Sequence, residues 1–426
     1  MVDALIPEKT EARRDRGPLS LRYLSFTGAM GFSQLGDAAW YVALTWTLVR
    51  EAGPATSGAV LALASLSRLV GLLGGGVIAD RNGPRRVMVL TDLLRCAVML
   101  GAALLTLVVD APVPILVVAA TLLAFLGAFF VPASGVVRPL LLEDEHLVRG
   151  NALYVLGLRG GQAAGGPLGA WLIVAGGVPL VALVNAVSYV VSAAAAWRVR
   201  YLRDPAVKAA TADKPSPAGD PAARPNFRKQ LLEGFGYVLR DSRVRTVILV
   251  IGLTELACAP PVNIGLVLLA RQLGTGADGA GLLLTAYTVG AVASSLINMA
   301  WPPKRRAGLS LILGTLAAGI CLACFGLIGS LSAGLLLYGV LGAVTGQFSV
   351  VLISMIQRWA DPEMRGRVMS VMSLMIFAAV PLANVLVGLL IQLLGFAAAM
   401  YAFAAVALAA TAVVATTTPL RSARLD

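Results

Sequence analysis

Asp37 and Glu255 stand inside long apolar runs of the chain, and so do Arg68, Asp92, Arg95 and Arg159. An ionisable side chain at the centre of a bilayer costs about 2.5–3.5 kcal/mol on insertion scales, so each of these asks for a partner or a task. Around Asp37, the residues Thr27, Met30, Gln34, Tyr41 and Thr45 recur at steps of three and four. That spacing puts them in one polar stripe on an otherwise apolar helix and predicts a water-filled cavity on that side. Thr254, Asn263 and the helix-breaking pair Pro260-Pro261 flank Glu255. A desolvated carboxylate in such a place can bind a proton and release it as its access to water alternates. The plainer reading is a carboxylate locked permanently to an arginine, and for Asp37 the candidate is Arg68, midway along the following helix. Asp92 and Arg95, three residues apart, predict a structural pair on one helix face. Arg159 has no partner nearby in sequence and receives no role.

The elements that carry these residues follow from composition. Of 426 residues, 58% are hydrophobic and only 13% charged, with a mean hydropathy of +0.83. A soluble domain is nearer a quarter charged. About 20 apolar residues in a helix cross the ~30 Å hydrocarbon layer. Twelve such segments are predicted, near 24–48, 57–78, 87–109, 113–136, 151–175, 179–198, 244–270, 280–300, 309–329, 332–356, 368–393 and 396–417. Barrel strands would be short and alternating. These runs are long and apolar all round, so the expectation is an all-α membrane protein.

A formal charge of +12 invites a nucleic-acid partner, but its placement argues otherwise. With the N-terminus inside, about 29 of the 34 Lys and Arg fall in cytoplasmic segments, and only Arg50 and Arg271 fall outside. This positive-inside bias predicts a multi-pass plasma (inner) membrane protein with both termini cytoplasmic. The basic segments would lie against anionic lipid, and no nucleic acid is expected. MVDALIPEKTEARRDRGPLS has no apolar core ahead of a cleavage site, so no signal peptide is read. Cys96, Cys258, Cys321 and Cys324 all lie in predicted spans and read as packing residues, the CxxC at 321–324 included. His146, in a loop, reads as solvated. No metal site and no cofactor are expected.

The longest polar stretch, about 199–243, divides the chain. Its first part is rich in Pro, Ala and charge and predicts a flexible linker; RKQLLEGFGYVLRDSRVR predicts an amphipathic helix. The expected organisation is a tail (1–23), a six-helix bundle (24–198), the linker (199–243), a second six-helix bundle (244–417) and a tail (418–426). The halves echo one another at an offset of about 215 to 221 residues: FLGA at 125–128 with VLGA at 340–343, Arg149-Gly150 with Arg365-Gly366, and GPRR at 83–86 with PKRR at 303–306. A parallel duplication of six helices is a transporter architecture, with its substrate site near the mid-membrane.

GGGVIADRNGPRR at 74–86 resembles the loop 2–3 motif of the major facilitator superfamily, through Gly76, Asp80, Arg81, Gly83, Arg85 and Arg86. Pro84 departs from the basic residue common there. SQLGDAAWYVALTW, FVPASGVVRPLL, LLEGFGYVLRD and DPEMRGRVMSVMSL resemble the drug:proton antiporter branch that includes macrolide and siderophore exporters. The resemblance implies two six-helix bundles with pseudo-twofold symmetry, and a central cavity lined by spans one, four, seven and ten. Asp37, Glu255, Gln34, Trp40, Tyr41, Asn263, Thr345 and Gln347 would then face that cavity, with Phe348 adding aromatic surface. Asp80 ends the second span, where the helix dipole is negative. The resemblance implies that it caps span eleven near Gly366 and Arg367, as a conformational latch; the plainer reading is that the arginines only set topology. Ala300 near the equivalent position makes the latch one-sided. Span five places Gly157, Gly161, Gly165 and Gly169 four apart, a bare face for close packing. Gly166-Pro167 resembles the antiporter motif and reads as a hinge, although Ala170 and Trp171 replace its closing glycines. The branch's arginine in mid-span four has no match, since Arg138 lies near the cytoplasmic end.

The leading expectation is a monomeric, proton-coupled exporter of an amphipathic small molecule, such as an antibiotic, another drug or a siderophore-like metabolite, not an enzyme. The alternatives are an importer of a nutrient or lipid-like solute, or a membrane sensor. GTGADGAG at 274–281 lacks the Gly-Lys-Ser/Thr ending of a phosphate loop.

Overall fold

Inside a bilayer the backbone must satisfy its own N–H and C=O groups, which leaves apolar runs of this length as helices. A computed structural model describes residues 19–143, 146–198, 227–300, 306–361 and 363–423; within its helices, the side chains of 73–81, 139, 148, 227–231 and 299–300 lie outside the description. Every regular element among the described residues is helical. In chain order these are α1 (Leu21–Asn82), α2 (Pro84–Val108), α3 (Pro112–Leu140), α4 (Leu147–Arg198), α5 (Phe227–Arg240), α6 (Ser242–Pro260), a π-helical turn (Pro261–Gly265) and α7 (Leu266–Gln272). There follow α8 (Gly276–Ala300), α9 (Ala307–Phe325), α10 (Leu331–Trp359), α11 (Arg365–Leu394), α12 (Phe396–Thr416) and α13 (Thr418–Arg421). Ten helical stretches among the described residues are long and apolar enough to cross a membrane. The chain is a multi-pass, all-α membrane protein.

Two of these helices are too long to be single spans. Straight, the 62 residues of α1 would reach roughly 93 Å at 1.5 Å per residue. The helix is broken at Gly53, whose φ of 78° and ψ of 175° are open to glycine and strained for other residues, and Pro54 restarts it. In α4 the non-helical backbone falls at Gly176 and Gly177, with Pro179 two residues on. The positive φ of 66° at Gly177 makes the break, in the gap between the predicted spans 151–175 and 179–198, while the backbone at Pro167 stays helical.

Contacts divide the chain into two compact units, Met1–Ala43 with Ser67–Pro221, and Leu44–Leu66 with Ala222–Asp426. In the first unit, α2 packs on α3 and α4, and α1 meets α4 backbone to backbone. A Cβ added at Gly161 would stand 2.1 Å from the Gly31 carbonyl oxygen; one at Gly165 would stand 2.4 Å from that of Leu35, and one at Gly169 2.4 Å from that of Ala39. The four-residue glycine spacing is therefore a packing face. Tyr23, Phe26, Met88 and Leu142 close the core at one end of this unit, where the Tyr23 hydroxyl donates to the Gly150 carbonyl at 2.7 Å. In the second unit α8 packs along α10, α9 along α10 and α12, and α6 on α11 and α12. Asp241 caps α6, accepting from the backbone N–H groups of Arg243 and Val244.

Candidate functional site: a shared guanidinium in the first unit

Four helices of the first unit bring seven side chains together around Arg95. Asp37 Oδ1 accepts a 2.5 Å hydrogen bond from the Tyr189 hydroxyl, and its Oδ2 lies 3.6 Å from Arg95 Nη2. Arg95 Nη1 is 3.3 Å from Asp92 Oδ1, and the other Asp92 oxygen accepts a 2.5 Å bond from Ser192 Oγ. The guanidinium lies 4.6 Å from the centre of the Tyr189 ring and 5.6 Å from that of Phe130, within cation–π range of both. Asn185 Nδ2 donates to the Tyr189 hydroxyl oxygen at 3.4 Å, and Ser188 Oγ donates to Asn185 Oδ1 at 3.0 Å.

Local sequence makes room for this cluster. A Cβ at Gly36 would meet Asn185 Oδ1 and Ser188 Oγ at 2.5 Å, so glycine beside Asp37 lets α1 lie against the second half of α4. A Cβ at Gly127 would stand 3.0 Å from Arg95 Nη2, so glycine on α3 leaves the guanidinium its space. On α4, Asn185, Ser188, Tyr189 and Ser192 follow three- and four-residue steps and form one polar face.

Among the ion-paired groups the count is uneven: two carboxylates share one guanidinium. Arg68 is within electrostatic range of Asp37 and Arg95, but its side chain is exposed, and among the described residues it pairs with neither. The two acids also differ in access. The Asp92 side chain is fully buried, whereas that of Asp37 is 30% exposed. Solvent can therefore reach Asp37, whereas Asp92 is held out of water by Arg95 and Ser192. With a cationic side chain between them, the pair is not set to hold a metal cation.

The other expected residues lie elsewhere. Trp40, on α1, is 4% exposed. Gln34 and Tyr41 are half-buried on α1. Arg159 donates to Gln162 Oε1 at 2.9 Å, within one turn of α4. Arg85 donates to the Trp197 carbonyl and lies 5.0 Å over its ring, so it serves the C-terminal end of α4, where carbonyls lack helical partners. Gly83 takes a φ of 80° in the turn between α1 and α2, and Arg86 is exposed. Gly76, Asp80 and Arg81 fall in the stretch of α1 outside the described side chains.

In the second unit Glu255 is half-buried and makes no ion pair among the described residues. Asn263 Nδ2 donates to Asn384 Oδ1 at 2.7 Å, tying the π-helical turn to α11. Thr345 Oγ1 is bonded to the Tyr287 hydroxyl at 3.2 Å, and Gln347 Nε2 donates to Ser310 Oγ at 3.0 Å. Sequence reading missed Tyr189, Asn185 and Ser192, although their spacing repeats the rule that marked the stripe on α1.

Comparison with known proteins agrees with this architecture. The family model described as Major Facilitator Superfamily matches residues 26–259 and 249–425. The enterobactin exporter EntS of Escherichia coli O1:K1 / APEC is 28% identical over 356 residues, which cover 82% of this chain and 76% of that protein. EntS of Shigella boydii serotype 18 is similar to the same extent. Among solved structures, the nucleoside transporter NupG superposes with a TM-score of 0.70 at 11% identity, covering 92% of this chain and 98% of that one. A POT family transporter in complex with 5-aminolevulinic acid gives 0.70 at 14% identity, covering 94% and 96%. At these identities the structural likeness is one of fold.

Proposed function

This chain belongs to the Major Facilitator Superfamily, and on that premise we propose that it is a proton-coupled secondary transporter that exports an amphipathic, siderophore-like small molecule by alternating access. The observation that carries the coupling is the single Arg95 guanidinium between Asp37 and Asp92. With Asp37 ionised, Arg95 is shared by two acids. A proton on Asp37 removes one claim on the guanidinium and leaves Arg95 to Asp92. Proton binding thus rearranges contacts among α1, α2 and α4, which is what a coupled carrier requires of its coupling site. Tyr189, bonded to Asp37 and stacked on Arg95, transmits the change between them. Glu255 is a second carboxylate available to proton or cargo.

The cargo class rests on the similarity to EntS over most of the chain. The breaks at Gly53 and at Gly176–Gly177 support dividing α1 and α4 into two spans each, so that ten stretches become twelve, as two six-helix bundles at 24–198 and 244–417. The bias of Lys and Arg supports cytoplasmic termini. The protein acts as a monomer, and the motif at 76–86 is its conformational latch.

The test is enterobactin release from a host lacking its own exporter. At matched expression, the intact chain restores release and Asp37→Asn does not. Undiminished release by Asp37→Asn defeats the coupling role. Failure of the intact chain to release enterobactin, with protection against other amphipathic compounds, moves the cargo within the export reading.

A further inference from the structure

Within the second unit, α8 and α9 each pack on α10 but scarcely touch one another. Glycines draw α8 and α10 together: a Cβ at Gly290 would stand 1.9 Å from the Gly339 carbonyl oxygen, and one at Gly342 would stand 1.9 Å from that of Tyr287. The space left between α8 and α9 is a groove of about 480 Å³, with Ala343 and Val344 of α10 as its floor. It lies within the membrane-crossing lengths of all three helices.

The lining changes character along the groove. At one end is Arg306, exposed, immediately before α9 and following Lys304 and Arg305 in sequence. One turn further in, Ser310 Oγ accepts from Gln347 Nε2, which leaves the serine proton to donate. Ser294, on the facing wall, is 3% exposed, and its Oγ has no hydrogen-bond partner among the described residues. A hydroxyl buried without a partner costs about 1–3 kcal/mol, so this position asks for an acceptor from outside the chain. The remaining walls are apolar: Ile297, Leu309 and Leu313 line the groove and are each about half exposed.

We propose that the groove between α8 and α9 binds an anionic phospholipid from the leaflet on the Arg306 side. Its order of groups is that of the lipid. A cation meets the phosphate, hydroxyl donors one turn deeper meet the glycerol-ester carbonyls, and apolar side chains meet an acyl chain. A free anion would leave the apolar walls uncovered, and a plain hydrocarbon would leave Ser294 and Arg306 unserved. Arg306 is accompanied by no acidic residue in the groove's lining, which favours an anionic over a zwitterionic headgroup; basic pockets between membrane helices bind anionic headgroups in this way.

The experiment is native mass spectrometry of the full-length, delipidated protein, titrated separately with phosphatidylglycerol, phosphatidylcholine of the same acyl chains, and glycerol phosphate. The expected result is one saturable phosphatidylglycerol site, at least about fivefold tighter than phosphatidylcholine, against which glycerol phosphate does not compete. Arg306→Gln, an exposed change that spares the fold, reduces the preference about fivefold, the worth of one basic residue at a membrane surface. Ala317→Phe, which fills the groove, removes binding. Phosphatidylglycerol carrying a photoreactive acyl chain labels the peptide 306–317 in the intact protein. Equal binding of the two lipids, labelling confined to other helices, or displacement by glycerol phosphate would each overturn the proposal.

Discussion

Tyr189 donates its hydroxyl to Asp37 across 2.5 Å while the face of its ring lies 4.6 Å from the Arg95 guanidinium. One side chain therefore holds both partners of an ion pair that are themselves 3.6 Å apart. The two contacts separate by substitution. Tyr189→Phe keeps the ring and loses the hydroxyl; Tyr189→Ala loses both. Export by Tyr189→Phe is expected to fall at least about tenfold, since a hydrogen bond to a charged group contributes about 1.5–3 kcal/mol. Tyr189→Ala is expected to abolish export and to lower the melting temperature in detergent, which Tyr189→Phe changes little. Equal export by Tyr189→Phe and the intact protein, in the enterobactin release assay, would remove the hydroxyl from the coupling step.

Asp37 and Asp92 share Arg95 but differ in burial, so their neutral variants should fail in different ways. Asp37→Asn alters a partly exposed acid and is expected to leave the protein folded and inactive. Asp92→Asn acts on a fully buried acid bonded to both Arg95 and Ser192. Weakening buried hydrogen bonds to a charged group costs about 1.5–3 kcal/mol each, although Arg95 keeps Asp37 as its second acid. A lower melting temperature is therefore expected for Asp92→Asn than for Asp37→Asn. A stable Asp92→Asn protein with normal export would show that Asp37 alone engages Arg95.

The stripe on α1 was legible because helical spacing alone defines a face. The partner of Asp37 was not. Arg68 and Arg95 both lie at suitable depths, and choosing between them needs the rotation of α2 about its axis, which tertiary packing sets. Asn185, Ser188, Tyr189 and Ser192 obey the same spacing, but without a charge among them they did not stand out as a site. The break at Gly176–Gly177 fell in the short gap left between two predicted spans, whereas Pro167 drew attention within one. A proline inside a long helix forfeits one backbone bond and can stay helical; a glycine at positive φ cannot. Gln347 was read as a cavity group because it is polar and lies in span ten. Its bond to Ser310 on a neighbouring helix has no trace in local sequence.

The glycine face of α4 offers a matched pair. Gly161 and Gly160 are adjacent, yet a Cβ at Gly161 would meet the Gly31 backbone at 2.1 Å, and one at Gly160 would meet nothing within 4 Å. Gly160→Ala is expected to be neutral or slightly stabilising through its helix propensity. Gly161→Ala must push α1 away from α4 and is expected to cost about 1–3 kcal/mol, the range for overpacking. Since α1 carries Asp37, export should fall with it. Thermal denaturation of the two variants decides the matter: equal melting temperatures would mean that the helices part without penalty.

Helix α5 lies against α11 through a charge and through packing, and magnitudes decide which holds it. Glu233 Oε2 is 3.1 Å from Arg367 Nη1, with both side chains more than a third exposed. Such a pair contributes about 0–1 kcal/mol and weakens with salt. Beside it, a Cβ at Gly234 would stand 2.9 Å from the Arg367 carbonyl oxygen, so α5 is seated against backbone. Glu233→Gln is therefore expected to leave protease resistance of the 227–240 segment nearly unchanged, and Gly234→Val to release it. The Tyr237 hydroxyl, which accepts from the Asp361 backbone N–H at 3.1 Å, adds a dependence on pH. Burial pushes this phenol above its ordinary value of 10.0. The neutral form is thus favoured in the folded protein, and its contribution is complete below the unfolded value and lost as pH rises through the folded one. Proteolysis of α5 should accordingly stay constant to about pH 10 and accelerate beyond it, and Tyr237→Phe should flatten that rise. Release of α5 by Glu233→Gln at low salt would instead make the ion pair the tether.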